Sequence, residues 1–249
     1  MHISKCVLRK DGAEIILQGM THLAPADFFL RLKEELDEKQ KEGYQVYYEQ
    51  VTQNTELPED LSQKEEGMLD LMFEVARFSF DMPEDKKYGG IKFECRENIL
   101  KYPEDAINAD LSLQEIISLM AEKDIDYEYM LNAMRNDEWR DRVYGVIAKM
   151  FSDMDFDAEM KKSKTGDERL MDNFRKLESV FIGDCNKAAV DMIEKFINDH
   201  GQRKNLVYYG EAHVSGISDL LMQNGWQLED SSKLNLAEFG NLGKPIREH

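Results

Sequence analysis

The chain has 249 residues, 42% of them hydrophobic and 33% charged, a globular composition long enough to bury a core without disulfide or metal staples. Its formal net charge of −18 repels phosphate backbones and anionic lipid heads, which argues against nucleic acid and membrane surfaces as partners. Cys6, Cys95 and Cys185 are too widely spaced for a disulfide framework or a Cys-x-x-Cys site; with no signal-peptide core and no apolar run of bilayer length, the expectation is a cytoplasmic protein.

The first predicted element is a hairpin. Ile3 to Arg9 and Ala13 to Gln18 flank Asp11-Gly12, a strong tight-turn signal. A helix follows Pro25, with Phe28, Phe29, Leu32 and Leu36 at helical spacing and Gly43 to close it. The β-branched and aromatic run Tyr44 to Val51 predicts a strand, so strand, helix and strand suggest a parallel βαβ unit. Residues 59–80 carry Leu61, Met68, Leu69, Met72, Val75 and Ala76 on one stripe, best read as a buried helix face. Ile91 to Cys95 predicts a short strand, and a helix starts near Ser112. Residues 126–151, with Trp139, read as helical. The charged stretch 152–169 is expected to be a mobile loop inserted in one domain.

Leu170, Phe174, Leu177 and Phe181, then Val190, Ile193, Phe196 and Ile197, suit one long helix or two in tandem. Lys204 to Gly210 predicts a strand, Ile217 to Met222 a helix ended by Gly225, and WQLED a last strand. Residues 231–249 read as a loose polar tail. The resulting expectation is a single α/β domain over residues 1–249. It would have a mostly parallel central sheet flanked by helices, a preceding N-terminal hairpin and a helical middle region.

One pattern occurs twice. The strand ILQ leads into GMTH, and the strand LVYY into GEAH; each is an apolar strand, Gly-x-x-His, then a helix. In a parallel sheet the C-terminal strand ends share one rim, where ligands bind, so two such units can bring His22 and His213 together from opposite ends of the chain. Gly19 and Gly210 permit a sharp turn or a close approach there. Glu49, ending the next strand, adds a carboxylate. Two imidazoles and a carboxylate form a common ligand set for a divalent metal, which acidifies water into a nucleophile near neutral pH. Without metal, the same trio could serve acid–base chemistry.

The segments GMTHLAPADFF, YYEQV and YYGEAHVSGISDLLMQNGW resemble the TraB/GumN/Tiki family, related to the erythromycin esterase and ChaN-like proteins. That resemblance spans most of the chain and is strongest over residues 14–51 and 204–229. It implies an α/β fold with the motifs on one rim. It also implies metal-dependent hydrolysis of a peptide or ester bond through Gly19, His22, Glu49, Gly210 and His213, with Mn, Co or Zn as the cofactor and haem a weaker choice. The ChaN branch is linked to haem binding, and the other reading is a non-catalytic protein of the same fold that sequesters a peptide, haem or metal. The partner is then a small molecule or a peptide; self-association into a homo-oligomer stays open.

Softer matches are Asp110 in NADL, with a helix N-cap as its equally strong alternative, and Asn186 in Asp184-Cys185-Asn186, where relatives often carry an Arg at the position of Cys185. Loss of that guanidinium bears on catalysis. Glu211 is a candidate base or a partner that supports a site residue, with a surface carboxylate as the equal alternative. Tyr47, Tyr48, Tyr208 and Tyr209 could line a pocket, though strand aromatics are ordinarily core. Cys185 reads as a buried structural thiol rather than a nucleophile. The calcium-loop reading of Asp153, Asp155 and Asp157 fails because Ala158 and Lys164 stand where Gly and Glu are needed.

Overall fold

Asp11 and Gly12 start the fold with the only two adjacent positive φ angles among the described residues, 49° and 77°, the geometry of a two-residue hairpin turn that matches the twist of its strands. The turn joins β1 (His2–Lys10) to β2 (Ala13–Met20), which pair antiparallel from Lys10↔Ala13 to Lys5↔Gln18. The computed structural model describes residues 2–21, 23–49, 61–80, 93–136, 168–236 and 239.

The chain divides into two compact units, one of residues 1–50, 83–109 and 189–249, the other of residues 51–82 and 110–188. The first is built on a six-stranded sheet. After β2 come β3 (Leu23–Pro25), α1 (Ala26–Lys41) and β4 (Gln45–Tyr48). The strands β6 (Ile107–Asn108), β7 (Lys204–Gly210) and β8 (Gln227–Asn235) complete the sheet in the order β6-β4-β7-β2-β1-β8. The strands β6, β4, β7 and β2 pair parallel, and β1 pairs antiparallel with β2 on one side and with β8 on the other. The fold is therefore α/β with a mostly parallel mixed sheet. β2 and β4 are parallel as expected, but β7, from the far end of the chain, lies between them and pairs with both.

Helices cover both faces of this sheet, which explains why β7 reads as a continuous apolar run. One face packs Ile16, Met20, Leu206 and Tyr208 against Phe28, Phe29, Leu32 and Leu36 of α1. Burying each of the two phenylalanines stabilises by roughly 2–3 kcal/mol. The other face packs Ile15, Leu17, Val207 and Tyr209 against Ala189, Val190 and Ile193, and against Ile217 and Leu221 of the helix that follows β7.

Two expectations need correction. The strand expected over Ile91–Cys95 forms β5 (Phe93–Cys95) and pairs with β3 in a separate two-stranded sheet. Residues 231–235, expected to begin a loose tail, belong to β8, in register with β1 from His2↔Asn235 to Arg9↔Gln227. An edge strand bonded to one neighbour needs no apolar alternation, so SSKLN carries no strand signal of the usual kind. Beyond it, Leu236 and Phe239 are buried in the α1 face.

The second unit is helical among its described residues: α2 (Gln63–Phe80), α4 (Leu113–Glu122), α5 (Tyr127–Arg135) and α6 (Glu168–Glu178), the last passing through a π-helical turn (Ser179–Asp184) into α7 (Cys185–His200), which belongs to the first unit from Ala189 onward. The short α3 (Arg96–Ile99) belongs to the first unit. Met68, Leu71, Ile116, Met120, Met130 and Phe174 form the second unit's core, so the Met-rich stripe is a packed face. Ser112 starts α4 in a capping box with Glu115, and the Ser112 hydroxyl and backbone hydrogen bonds hold the Glu115 carboxyl below its ordinary range. The stretch 152–167 and Trp139 lie outside the described residues. No helix among the described residues is long and apolar enough to cross a membrane.

Candidate functional site

The parallel pairing brings three strand ends to one rim. Met20 of β2 sits opposite Gly210 of β7, and Tyr48 of β4 opposite Tyr208. Glu49 follows immediately, its backbone N–H donating to the Tyr208 carbonyl at 3.0 Å. From there its side chain reaches the start of α8 (Glu211–Gln223). Gly210, the N-cap residue of α8, has no side chain to cap the helix, and its N–H donates to Glu49 Oε2 instead. A strand from elsewhere in the chain thus places a carboxylate at the positive end of the helix.

This borrowed cap explains a difference from the sequence reading. The helix begins directly at Glu211, which puts His213 inside its first turn, not in a loop ahead of it. His213 Nε2 lies 3.7 Å from Glu49 Oε1, with His213 buried and Glu49 largely so. The imidazole packs edge-to-face on Tyr209, ring centroids 5.1 Å apart. Gly210 leaves room for the pair, since a Cβ there would lie 2.9 Å from Glu49 Oε2 and 3.3 Å from His213 Cδ2.

Glu211 occupies a different position. Ser4 donates to it twice, from its backbone N–H at 2.7 Å and from its hydroxyl at 2.6 Å, one bond to each carboxylate oxygen. The carboxylate sits against Gly19, where a Cβ would come within 2.1 Å of Glu211 Oε2 and 2.9 Å of the Ser4 carbonyl oxygen. Glu211 therefore ties α8 to β1 across the gap that Gly19 leaves in β2. Beside it, burial pushes the Cys6 thiol up, and the negative charge of Glu211 adds to that shift.

No protein-family model, curated protein or solved structure matches the chain. The reading of the site therefore rests on its residues. His22 lies outside the described residues; Met20, two positions before it, ends β2 on the rim. Among the described residues, no group of three His, Cys, Asp or Glu side chains is placed to hold a metal; of the expected trio, Glu49 and His213 are described and lie 3.7 Å apart. Asp110 and Asn186 belong to the helical unit. The Asp110 carboxylate accepts from the Leu111 N–H at 2.8 Å, while Ser112 is the N-cap of α4. Asn186 and Cys185 are buried.

Three of the four rim tyrosines are wholly buried. Tyr47 donates to Asn205 Oδ1 at 3.2 Å, Tyr208 to the Leu32 carbonyl at 3.2 Å and Tyr209 to the Ala109 carbonyl at 3.5 Å. Burial raises the Tyr47 and Tyr208 phenols well above their usual range. Tyr48 stacks on Tyr102 at 4.3 Å. Sequence reasoning missed Ser4 as the partner of Glu211 and Tyr209 as the packing surface of His213. Tyr209 was visible as an aromatic beside the motif; Ser4 gave no signal.

Proposed function

We propose that the protein is a metal-dependent hydrolase of peptide or ester bonds, with His22, Glu49 and His213 holding a divalent Mn, Co or Zn ion. The observation that carries this reading is the 3.7 Å between Glu49 Oε1 and His213 Nε2. That is too long for a hydrogen bond. Two donors on one tetrahedral ion, each at ~2.1 Å, lie about 3.4 Å apart. The pair thus fits a shared cation with a shift of a few tenths of an ångström. The likeness of both Gly-x-x-His segments to the TraB/GumN/Tiki pattern supports the same chemistry.

A bound divalent cation supplies Lewis acidity and lowers the pKa of water toward neutrality. The chain's own residues supply the orientation. The Gly210 N–H holds Glu49 Oε2 and so turns Oε1 toward His213; Tyr209 fixes the plane of the imidazole. Glu49 Oε1, the oxygen the Gly210 N–H leaves unheld, is then the one that would join His213 Nε2 in holding the ion. Glu211, with both oxygens bonded to Ser4, acts in this reading by positioning α8. The substrate is a small molecule or a peptide.

A second reading, a non-catalytic protein that sequesters a peptide, haem or metal on the same rim, is favoured by Cys185. This side chain is buried and offers no cation where the resembled family often carries an Arg. The two separate on turnover. Protein supplied with Mn²⁺, Co²⁺ or Zn²⁺ is assayed against a fluorogenic peptide library and a panel of aryl esters. The hydrolase reading predicts turnover that Glu49→Gln lowers by at least about 100-fold. Metal bound with no turnover of any peptide or ester would leave the binding reading in its place.

A further inference from the structure

The six-stranded sheet ends on one side at β6, two residues long, and on the other at β8, nine residues long. A two-residue edge gives a neighbour little to pair with. β8 is a different kind of edge. It is bonded to β1 on one side, and among the described residues no strand pairs with its other side. Every residue from Gln227 to Lys233 is exposed, the apolar Leu228 included. An open edge of this length is a template for a further strand.

Register gives the groups that this edge presents. Ser4 of β1 sends its N–H to the Glu211 carboxylate, which sits against Gly19 of β2, so that N–H points away from β8. Opposite residues of an antiparallel pair either both face each other with their N–H and C=O groups or both turn them away, and the two kinds alternate along the strand. Lys233, opposite Ser4, and Ser231, opposite Cys6, therefore turn their backbone groups outward.

The charges of β8 define which strand fits. Glu229 and Asp230 precede Ser231, and Lys233 follows it. An antiparallel copy of the same strand, crossing at Ser231, brings the two acids of each copy beside the lysine of the other. Parallel pairing in register would set like charges side by side. Glu229 also reaches Arg9 at 3.2 Å, in an exposed pair that leaves its carboxylate open to a second cation. The register shift between Val7 and Leu8 leaves Glu229 as the extra residue of a bulge. Bulges and charges on an edge ordinarily turn neighbours away. Here the opposed charges admit one partner in one direction.

We infer that β8 is a self-association edge: a second copy of this chain adds its own β8 antiparallel, across a two-fold axis at Ser231, and joins two six-stranded sheets into one. The contact uses the first unit alone and is independent of the rim and of any metal there. A single strand pair buries less than the roughly 1,200–2,000 Å² of a stable interface, so the dimer is weak, with a Kd on the order of 100 µM. Two copies of net charge −18 also repel each other, and physiological salt confines that repulsion to about 8 Å.

Sedimentation equilibrium at about 0.15 M salt, over chain concentrations from about 5 µM to about 1 mM, tests the inference. Wild type should rise from the mass of one chain toward that of two. Ser231→Pro removes the central outward N–H at a place where an edge strand tolerates proline, and should stay monomeric with its circular dichroism unchanged. Charge reversal supplies a second test at exposed positions. Glu229→Lys with Asp230→Lys in one chain, and Lys233→Glu in another, should each be monomeric alone and associate at least as tightly as wild type when mixed. Wild type that stays monomeric, a dimer kept by Ser231→Pro or by either charge variant alone, or charge variants that fail to associate on mixing would overturn the inference.

Discussion

The two Gly-x-x-His segments look alike in sequence and are built differently. After Gly19 the strand continues to Met20, and a further short strand, Leu23–Pro25, precedes the helix. After Gly210 the helix starts at once. Yet both glycines serve the same steric purpose, each leaving space for a glutamate from elsewhere in the chain: Glu211 at Gly19, Glu49 at Gly210. Among the described residues, the first glutamate accepts two bonds from Ser4 and ties α8 to β1; the second accepts one from a backbone N–H, with its other oxygen facing His213. Similar local sequence thus surrounds two carboxylates that differ in how many donors the described residues give them.

Gly19→Ala should break this arrangement most severely. The added methyl meets the Ser4 backbone as well as the Glu211 carboxylate, so yielding costs the two Ser4 hydrogen bonds and strains the hairpin, roughly 3–4 kcal/mol in urea unfolding. Glu211→Gln keeps the shape but loses the charge that strengthens both Ser4 bonds, about 1–2 kcal/mol by the same measurement. Gly210→Ala meets only flexible side-chain atoms, and should cost about 1 kcal/mol. Its larger effect falls on the site: Glu49 moves, and cobalt affinity drops about tenfold, where Glu211→Gln leaves that affinity unchanged. Equal stability losses for the two alanine variants would erase the distinction between the segments.

The smallest effect is also the most selective. Cys6 has its thiol pushed up by burial first and by Glu211 second. A raised acid keeps its proton in the fold, so its contribution to stability is complete below the ordinary thiol range and is lost as pH rises through the raised value. Thiol titration in a chain with Cys95→Ala and Cys185→Ala should show Glu211→Gln lowering the Cys6 pKa, with the alkaline loss of stability becoming shallower. Glu49→Gln should leave Cys6 unmoved.

Much of the first unit was legible because it is encoded locally. Asp11-Gly12 announces its turn, Phe28, Phe29, Leu32 and Leu36 announce α1, and the run at Lys204–Gly210 announces a strand covered on both faces. The rim argument likewise anticipated that Glu49 and His213 meet. What stayed hidden depends on partners distant in sequence. The insertion of β7 between β2 and β4 is set by pairing across the whole chain, and β8 is polar because an edge strand needs only backbone bonds. Ser4 and Glu211 are 207 positions apart, and neither residue type signals the other. A polar row of Lys5, Gln18 and Ser232 became visible only once register aligned three strands.

The central claim, that Glu49 and His213 share a cation with His22, is tested most directly by metal content. Wild type, His22→Ala, Glu49→Ala and His213→Ala are purified without chelator, supplied with Mn²⁺, Co²⁺ or Zn²⁺, and submitted to elemental analysis. The account predicts close to one ion per wild-type chain, as a single three-donor site requires, and its loss in all three variants. Wild type without metal under every condition, or metal retained in His213→Ala, would contradict it.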